Sequence, residues 1–444
     1  MSVVSGPRRL YLRRFRSNWN ELRNYMKKNN SVSRGPDTAL RSLSKTLLPW
    51  VAAVMILTML PSLFAENSTI TIMNQMAITI IFALSYNMLL GQAGMLSFGH
   101  AIYLGFGGFM CIHVMNHLQA AGVPIPLPFL PLFAGFFSMG MAMLIGSFST
   151  RRSGTVFAMI SLGVVELVAS YSIIGYSFFR GGGVGGDRTL GVPFFGVEFL
   201  RQIEVYYLIS FWLVVSVGLM YLFTQTPMGR MANAVRDNPE RAEFLGYSAR
   251  WVRFFSFCAA GFFAGVAGGL FAINYELATA ENLSVQASGT ILMIAFLGGI
   301  GVFYGPILGA VVFTLLQTVL SLHTDLWQLY VGVLFLAAVM FFPSGLAGVL
   351  IMHLSVIGQN RWVGLIGPYF KTVGPAVIGT LGICGLVELV FHSRHLSRGG
   401  QEMTLFWITF HTSNPAPWLI AAGVAIIGIW ISKRNAPALS TAWR

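Results

Sequence analysis

Apolar residues along this chain come in long unbroken runs, and the polar positions gather in short stretches between them. A helix needs about 20 mostly apolar residues to cross the hydrocarbon core of a bilayer. Windows of that kind recur over residues 46–65, 70–90, 98–115, 129–148, 155–178, 205–223, 254–273, 287–300, 303–320, 327–346, 372–391 and 416–431. The pattern predicts an all-α polytopic membrane helix bundle with broken helices: about ten transmembrane helices in a core over 46–350, then two more in a C-terminal extension over 351–444.

Composition agrees, since 55% of the 444 residues are hydrophobic and only 10% charged, more apolar side chain than one soluble core can hide. The net charge of +13 raises the question of a nucleic-acid partner, and the placement of the cations answers it. With the N-terminus cytoplasmic, only Arg180, Arg188, Arg201, Arg394 and Arg398 fall outside, which leaves 23 of the 28 Lys and Arg residues on the cytoplasmic side. Arg151, Arg152, Arg230, Arg236, Arg361, Lys371, Lys433 and Arg434 are among these. That asymmetry is the positive-inside rule carried through all the spans, with both termini cytoplasmic, and no nucleic-acid partner is needed to explain the charge.

Residues 1–45 form a basic cytoplasmic segment in which Leu12, Phe15, Trp19, Leu22 and Met26 share one helical face. An amphipathic helix on the anionic inner leaflet fits, and a disordered basic tail is the alternative. The segment is too long for the leading region of a cleaved signal peptide, so the first span is expected to stay as an anchor. Cys111, Cys258 and Cys384 all lie in apolar runs without metal-like or paired spacing and read as buried free thiols.

Residues 224–253 are the most legible polar stretch. Asn238 suits an N-cap, Pro239 the first helical position, Glu240 the positive helix end, and Gly246 the closing turn. A short capped helix of this kind can seat in a groove of a soluble partner, and a plain connecting loop is the alternative.

Within the spans, Gly261, Gly265 and Gly269, and again Gly301, Gly305 and Gly309, repeat every four residues, which lets helix backbones approach closely in lipid. Two further glycine clusters, 91–100 and 298–306, interrupt apolar runs near membrane depth. Non-helical backbone is tolerated there only when buried in protein or lining a wet cavity, so these breaks point to a transport path, with a tight surface turn as the alternative. Glu166 stands in the middle of a span, where a carboxylate must face the bundle interior, be protonated or find a partner. His100 ends the first cluster and reads either as part of the path or as a satisfied structural histidine; Glu388, near a span end, reads as snorkelling to the interface.

The chain has no phosphate-binding Gly-x-x-x-x-Gly-Lys-Ser/Thr, no zinc-type pairing and no nucleophile with a nearby base. An enzyme is the weakest class, no cofactor or metal is expected, and any ATPase must be another polypeptide. The rival is a self-contained secondary transporter or channel for a small polar solute. Ion-coupled transport ordinarily leaves several intramembrane ionisable groups, and this bundle has Glu166 and little else.

Three stretches carry a resemblance. They are Gly91-Gln92-Ala93-Gly94-Met95-Leu96-Ser97-Phe98-Gly99-His100; Thr226-Pro227-Met228-Gly229-Arg230 running into Ala234-Val235-Arg236-Asp237-Asn238-Pro239-Glu240-Arg241-Ala242-Glu243-Phe244-Leu245-Gly246; and Phe296-Leu297-Gly298-Gly299-Ile300-Gly301 followed by Tyr304-Gly305-Pro306-Ile307-Leu308-Gly309-Ala310. Over residues 70–350 the chain resembles the inner-membrane permeases of branched-chain amino acid ABC importers, of the LivM type. The resemblance implies a bacterial inner-membrane subunit that moves branched-chain or related hydrophobic amino acids, with urea, short amides and aromatic amino acids still open. It implies a second permease subunit, two ATP-binding subunits and a periplasmic solute-binding protein as partners. Gly94, Ser97, His100, Glu166, Gly298, Gly299, Gly301 and Tyr304 become substrate-path candidates. Arg230, Arg236, Asn238, Pro239, Glu240, Ala242 and Gly246 become ATPase-coupling candidates. Two departures stand out: the outer loop reads Arg180-Gly181-Gly182-Gly183-Val184-Gly185-Gly186-Asp187 where the family commonly has Thr-Gly-Gly, and the extension continues past the family's usual end near residue 346.

Overall fold

The structure is a computed structural model that describes residues 36–64, 66–121, 126–190, 197–342, 344–358, 362–394, 402–405, 408–411 and 414–443. The amphipathic helix expected over residues 12–26 lies outside them. The chain forms two compact units, Met1–Ala65 and Glu66–Arg444. In the first, helix α1 (Pro36–Leu63) carries the apolar stretch Leu48–Leu63, so the segment predicted over 46–65 is the second half of a longer helix.

The second unit is helical almost throughout. Its elements are α2 (Asn67–Asn87, prolonged by one π-turn, Met88–Gln92), α3 (Ala101–Ala121), α4 (Leu130–Ser149), α5 (Thr155–Ile174), α6 (Tyr176–Phe179), α7 (Gln202–Gln225), α8 (Pro227–Asp237) and α9 (Pro239–Phe244). Then follow α10 (Ala249–Tyr275), α11 (Val285–Gly298), α12 (Gly305–His323), α13 (Trp327–Phe341), α14 (Gly345–Gly358), α15 (Trp362–Arg394) and α16 (Pro415–Trp443). Two small antiparallel ribbons join loops: β1 (Gly183–Gly185) with β2 (Leu277–Thr279), and β3 (Glu402–Leu405) with β4 (Ile408–His411).

Among the described residues nine helices are long and apolar enough to cross a membrane, and they coincide with nine of the twelve predicted segments. The remaining three differ. Besides α1, the segment 287–300 is only the 14-residue α11, about 21 Å long and short of the roughly 30 Å hydrocarbon core. The segment 327–346 is a pair, α13 and the start of α14, bent by 54°.

Helix α10 is the hub, with 83% of its spanning window buried. Its Gly261, Gly265 and Gly269 face Ala142, Ser138 and Ala134 of α4, one small-residue row against another; a methyl group on Gly269 would stand 2.8 Å from Ala134 Cβ. Lipid offers no hydrophobic drive for helix association, so close backbone approach and dispersion hold this pair together. The second predicted ladder is shorter than expected. Gly305 and Gly309 pack against Gly299, Gly298 and Ile294, but Gly301 lies in the turn ahead of α12 with open space beside it.

The extension is a hairpin of α15 and α16 closed on its own small residues, Gly379 and Gly382 against Gly428 and Ala425. Glu388 fastens this hairpin to the rest of the unit, accepting hydrogen bonds from Thr324 Oγ1 and from Tyr330 OH, the latter at 2.9 Å. It is a tether between elements, where the sequence suggested a side chain reaching for water.

Candidate functional site

The two glycine breaks and the α8–α9 segment converge at one end of the second unit. After the π-turn, the chain from Ala93 to His100 runs without regular structure, yet Ala93, Met95, Ser97 and His100 are each at most 3% exposed. Irregular backbone inside protein needs its polar groups satisfied. Here that is done from a distance: Phe98 N donates to Ser161 Oγ of α5 at 3.0 Å and Ala101 N to Ser288 Oγ of α11 at 3.0 Å. Tyr86 OH donates to the Ser97 carbonyl at 3.0 Å, and Ser97 Oγ accepts from Gly99 N at 3.3 Å. A hydroxyl from α11 thus caps the first N–H of α3, and one from α5 holds the break just ahead of it.

His100 lies at the centre of an aromatic box. Its ring stacks on Phe82 at 5.5 Å and meets Tyr86 and Tyr103 edge-on, and Nε2 shares a hydrogen bond of 2.9 Å with Ser85 Oγ. Buried and 1% exposed, it packs the break in place.

The breaks touch each other. A methyl on Gly91 would lie 2.8 Å from the Ile300 carbonyl, and Gly299, at φ +108°, packs under Ser344 and Gly345. Gly298 is pressed on Gly305 and Pro306, whereas Tyr304 is 46% exposed and stacks on Tyr221 from the end of α7.

The polar segment is two helices where the sequence suggested one. Thr226 Oγ1 accepts from Gly229 N at 3.2 Å ahead of Pro227, and Asn238 Oδ1 accepts from Arg241 N at 3.0 Å ahead of Pro239, so the same cap is used twice. Gly246, at φ +85°, follows the second helix. Ala232, Val235 and Ala242 are buried, while Arg230, Glu240, Phe244 and Leu245 point outward, Phe244 at 91% exposure. Arg236 joins the segment to the first break: Nη1 donates to the Gly91 carbonyl, its side chain covers Gly94, and Nε pairs with Asp237 at 2.9 Å. Gly94, a path candidate by sequence, packs against this junction; at φ +67°, a methyl on it would meet Arg236 Cγ at 2.7 Å.

Glu166 does not enter the interior of this chain's bundle. It is exposed on α5 in one stripe with Gly163 and Ser170, on a helix with 28% of its window buried.

Sequence reasoning missed a polar cluster at the loop that carries β1. The Arg188 guanidinium donates to the Ile273 and Asn274 carbonyls, at 3.2 and 3.1 Å, and to Gln202 Oε1 at 3.0 Å, and it pairs with Glu276 at 3.2 Å. Asn274 Oδ1 accepts from both Gln202 and Asn74. One arginine thereby caps the last carbonyls of α10 and joins it to α7, and Asn274 extends the cluster to Asn74 of α2. The residues are 14 to 200 positions apart, so no local pattern announces them.

The profile of the family described as branched-chain amino acid transport system, permease component, matches residues 68–343. The high-affinity branched-chain amino acid transport system permease protein LivM of Escherichia coli K12 is 26% identical over 325 residues, covering 67% of this chain and 74% of its own length. The LivM protein of Salmonella typhimurium matches to the same extent. The autoinducer 2 import system permease protein LsrC of Klebsiella pneumoniae is 30% identical over 160 residues, 34% of this chain and 46% of its own. No solved structure matches the chain.

Proposed function

The chain belongs to the family of permease components of branched-chain amino acid transport systems, and from that premise we propose that it is one membrane-spanning half of an ATP-driven importer for branched-chain or related hydrophobic amino acids. The chain itself is a multi-pass membrane protein with nine candidate spans among its described residues. ATP is bound and hydrolysed on two partner subunits, and a solute-binding protein delivers the amino acid.

The observation that carries this reading is the junction of α8–α9 with the glycine breaks. Two capped helices present Phe244 and Leu245 to solvent and hold the Gly91 carbonyl through Arg236. Phe244 and Leu245 seat in a groove of an ATP-binding subunit, which puts this end of the unit in the cytoplasm, in accord with the clustering of Lys and Arg. When ATP draws the two ATP-binding subunits together, α8 moves, Arg236 moves the Gly91–Gly94 turn, and the two touching breaks rearrange between their outward-open and inward-open packings. The second permease subunit covers the Glu166 face of α5, and the solute passes between the two subunits there, since a mid-span carboxylate facing lipid costs several kcal/mol.

Mass spectrometry of what co-purifies with a tagged chain from its native membrane tests the reading. ATP-binding subunits and a second permease should be recovered with the wild-type chain, and Phe244→Asp should lose the ATP-binding subunits alone. Recovery of the chain by itself would overturn the proposal.

A further inference from the structure

Gly299, in the second break, is gripped from two sides. A methyl on it would run into the Ser344 carbonyl, one on Gly345 would run into Gly299 Cα, and one on Gly305 into the Gly299 carbonyl. The first turns of α12 and α14 therefore close on the same glycine, at the 54° bend between α13 and α14. Backbones packed this closely leave the break no room of its own, so it can rearrange only if α12 and α14 part.

Farther along, both helices are fastened to one helix of the extension, which lies beyond the family match. At the end of α12, Thr324 Oγ1 donates to the Glu388 carboxylate of α15, and Tyr330 OH from the first turn of α13 donates to the same oxygen at 2.9 Å. On α14, His353 Nδ1 lies 2.7 Å from the Val349 carbonyl and must donate, because a carbonyl only accepts. Nε2 of the neutral ring then accepts from Tyr369 OH of α15 at 2.8 Å. Tyr369 and Glu388 are about 28 Å apart along α15, close to the roughly 30 Å of the hydrocarbon core, so one fastening lies near each membrane surface.

We infer that α12, α14 and α15 form a closed triangular frame, with corners at Gly299, Glu388 and Tyr369, that makes the second break the fixed half of the touching pair. Three members joined at three corners resist a shear that two would permit, and α12 and α14 cannot part at Gly299 without breaking a hydrogen bond at another corner. The movement passed on by Arg236 is then taken up by the first break, which shifts against a stationary second one. That last step rests on the coupling proposed above; the frame does not.

Amide hydrogen exchange of the full chain in mild detergent, with no partner present, tests the frame. Tyr369→Phe removes one hydroxyl and Glu388→Leu one carboxylate. Each should speed exchange in residues 298–306 about tenfold, the equivalent of one net hydrogen bond, and leave 91–100 as in the wild type. Acceleration confined to the surroundings of residues 369 and 388 would overturn the frame. Should Glu388→Leu fail to fold, Tyr369→Phe decides, with Glu388→Gln as its companion: the amide oxygen still accepts from both hydroxyls, so that variant should exchange like the wild type. In vesicles reconstituted with the ATP-binding subunits, Tyr369→Phe should hydrolyse ATP normally and move several-fold less solute per ATP. Unchanged uptake per ATP beside a loosened second break would overturn its assignment as the fixed half. Failure to recover any ATP-binding subunit would instead remove the coupling and leave the exchange result standing.

Discussion

Gly94 tolerates no side chain, because its φ is +67° and Arg236 lies across the space a Cβ would fill. A Gly94→Ala variant should lose about 1–2 kcal/mol to left-handed strain and push the guanidinium off the Gly91 carbonyl. We expect amino acid uptake in reconstituted vesicles to collapse while the ATP-binding subunits still co-purify; unchanged uptake would show that the junction transmits nothing. At the loop bearing β1, Glu276 holds a left-handed backbone (φ +56°) beside the Arg188 guanidinium, whose side chain is 11% exposed. Arg188→Ala strands two helix-end carbonyls and should cost about 3 kcal/mol. Glu276→Gly relaxes the backbone but removes the ion pair, so its melting temperature should fall much less than that of Arg188→Ala. If both variants melt alike, the ion pair rather than the carbonyl capping dominates.

At the scale of elements, what a sequence can announce is local. Asn238-Pro239 is legible as a helix start because an N-cap acts on residues three positions away, and Thr226-Pro227 carries the same signal for the helix before it. Thr226→Ala and Asn238→Ala should each remove about 1 kcal/mol from their helix. Amide hydrogen exchange should then quicken in 227–237 for the first and 239–244 for the second, and exchange spreading into α10 would mean that the caps support more than their own helices. The start of α3 is held just as surely: Ser288 caps Ala101 N from 187 residues away, and Ser161 binds Phe98 N in the break ahead of it from 63 residues away. Nothing near Phe98 or Ala101 encodes that, so the break was readable as a break but its support was not.

At the scale of the whole molecule, the exposed face of α5 that carries Glu166 is the one the proposed second permease subunit would cover. Glu166→Leu should preserve folding of the isolated chain and abolish uptake, and cysteines at Gly163 or Ser170 should crosslink to a second permease subunit in native membranes. Crosslinking to lipid analogues alone would remove α5 from the subunit interface. Much of this was legible in the sequence: nine spans where predicted, the glycine row of α10 and the capped segment before it. Each of these rests on a short-range rule, a run of apolar residues, a four-residue spacing or a cap three residues away, and such rules survive without knowledge of the fold. It took the fold to decide that Gly94 sits under Arg236, that the two breaks touch, that Glu388 tethers the extension, that Arg188 caps α10 and joins it to α7, and that Glu166 looks outward from its own bundle. Those contacts join residues as far apart in the chain as Gly91 and Ile300, and the helix rotations that create them are set by close packing of small residues against many neighbours at once, which no stretch of chain specifies alone.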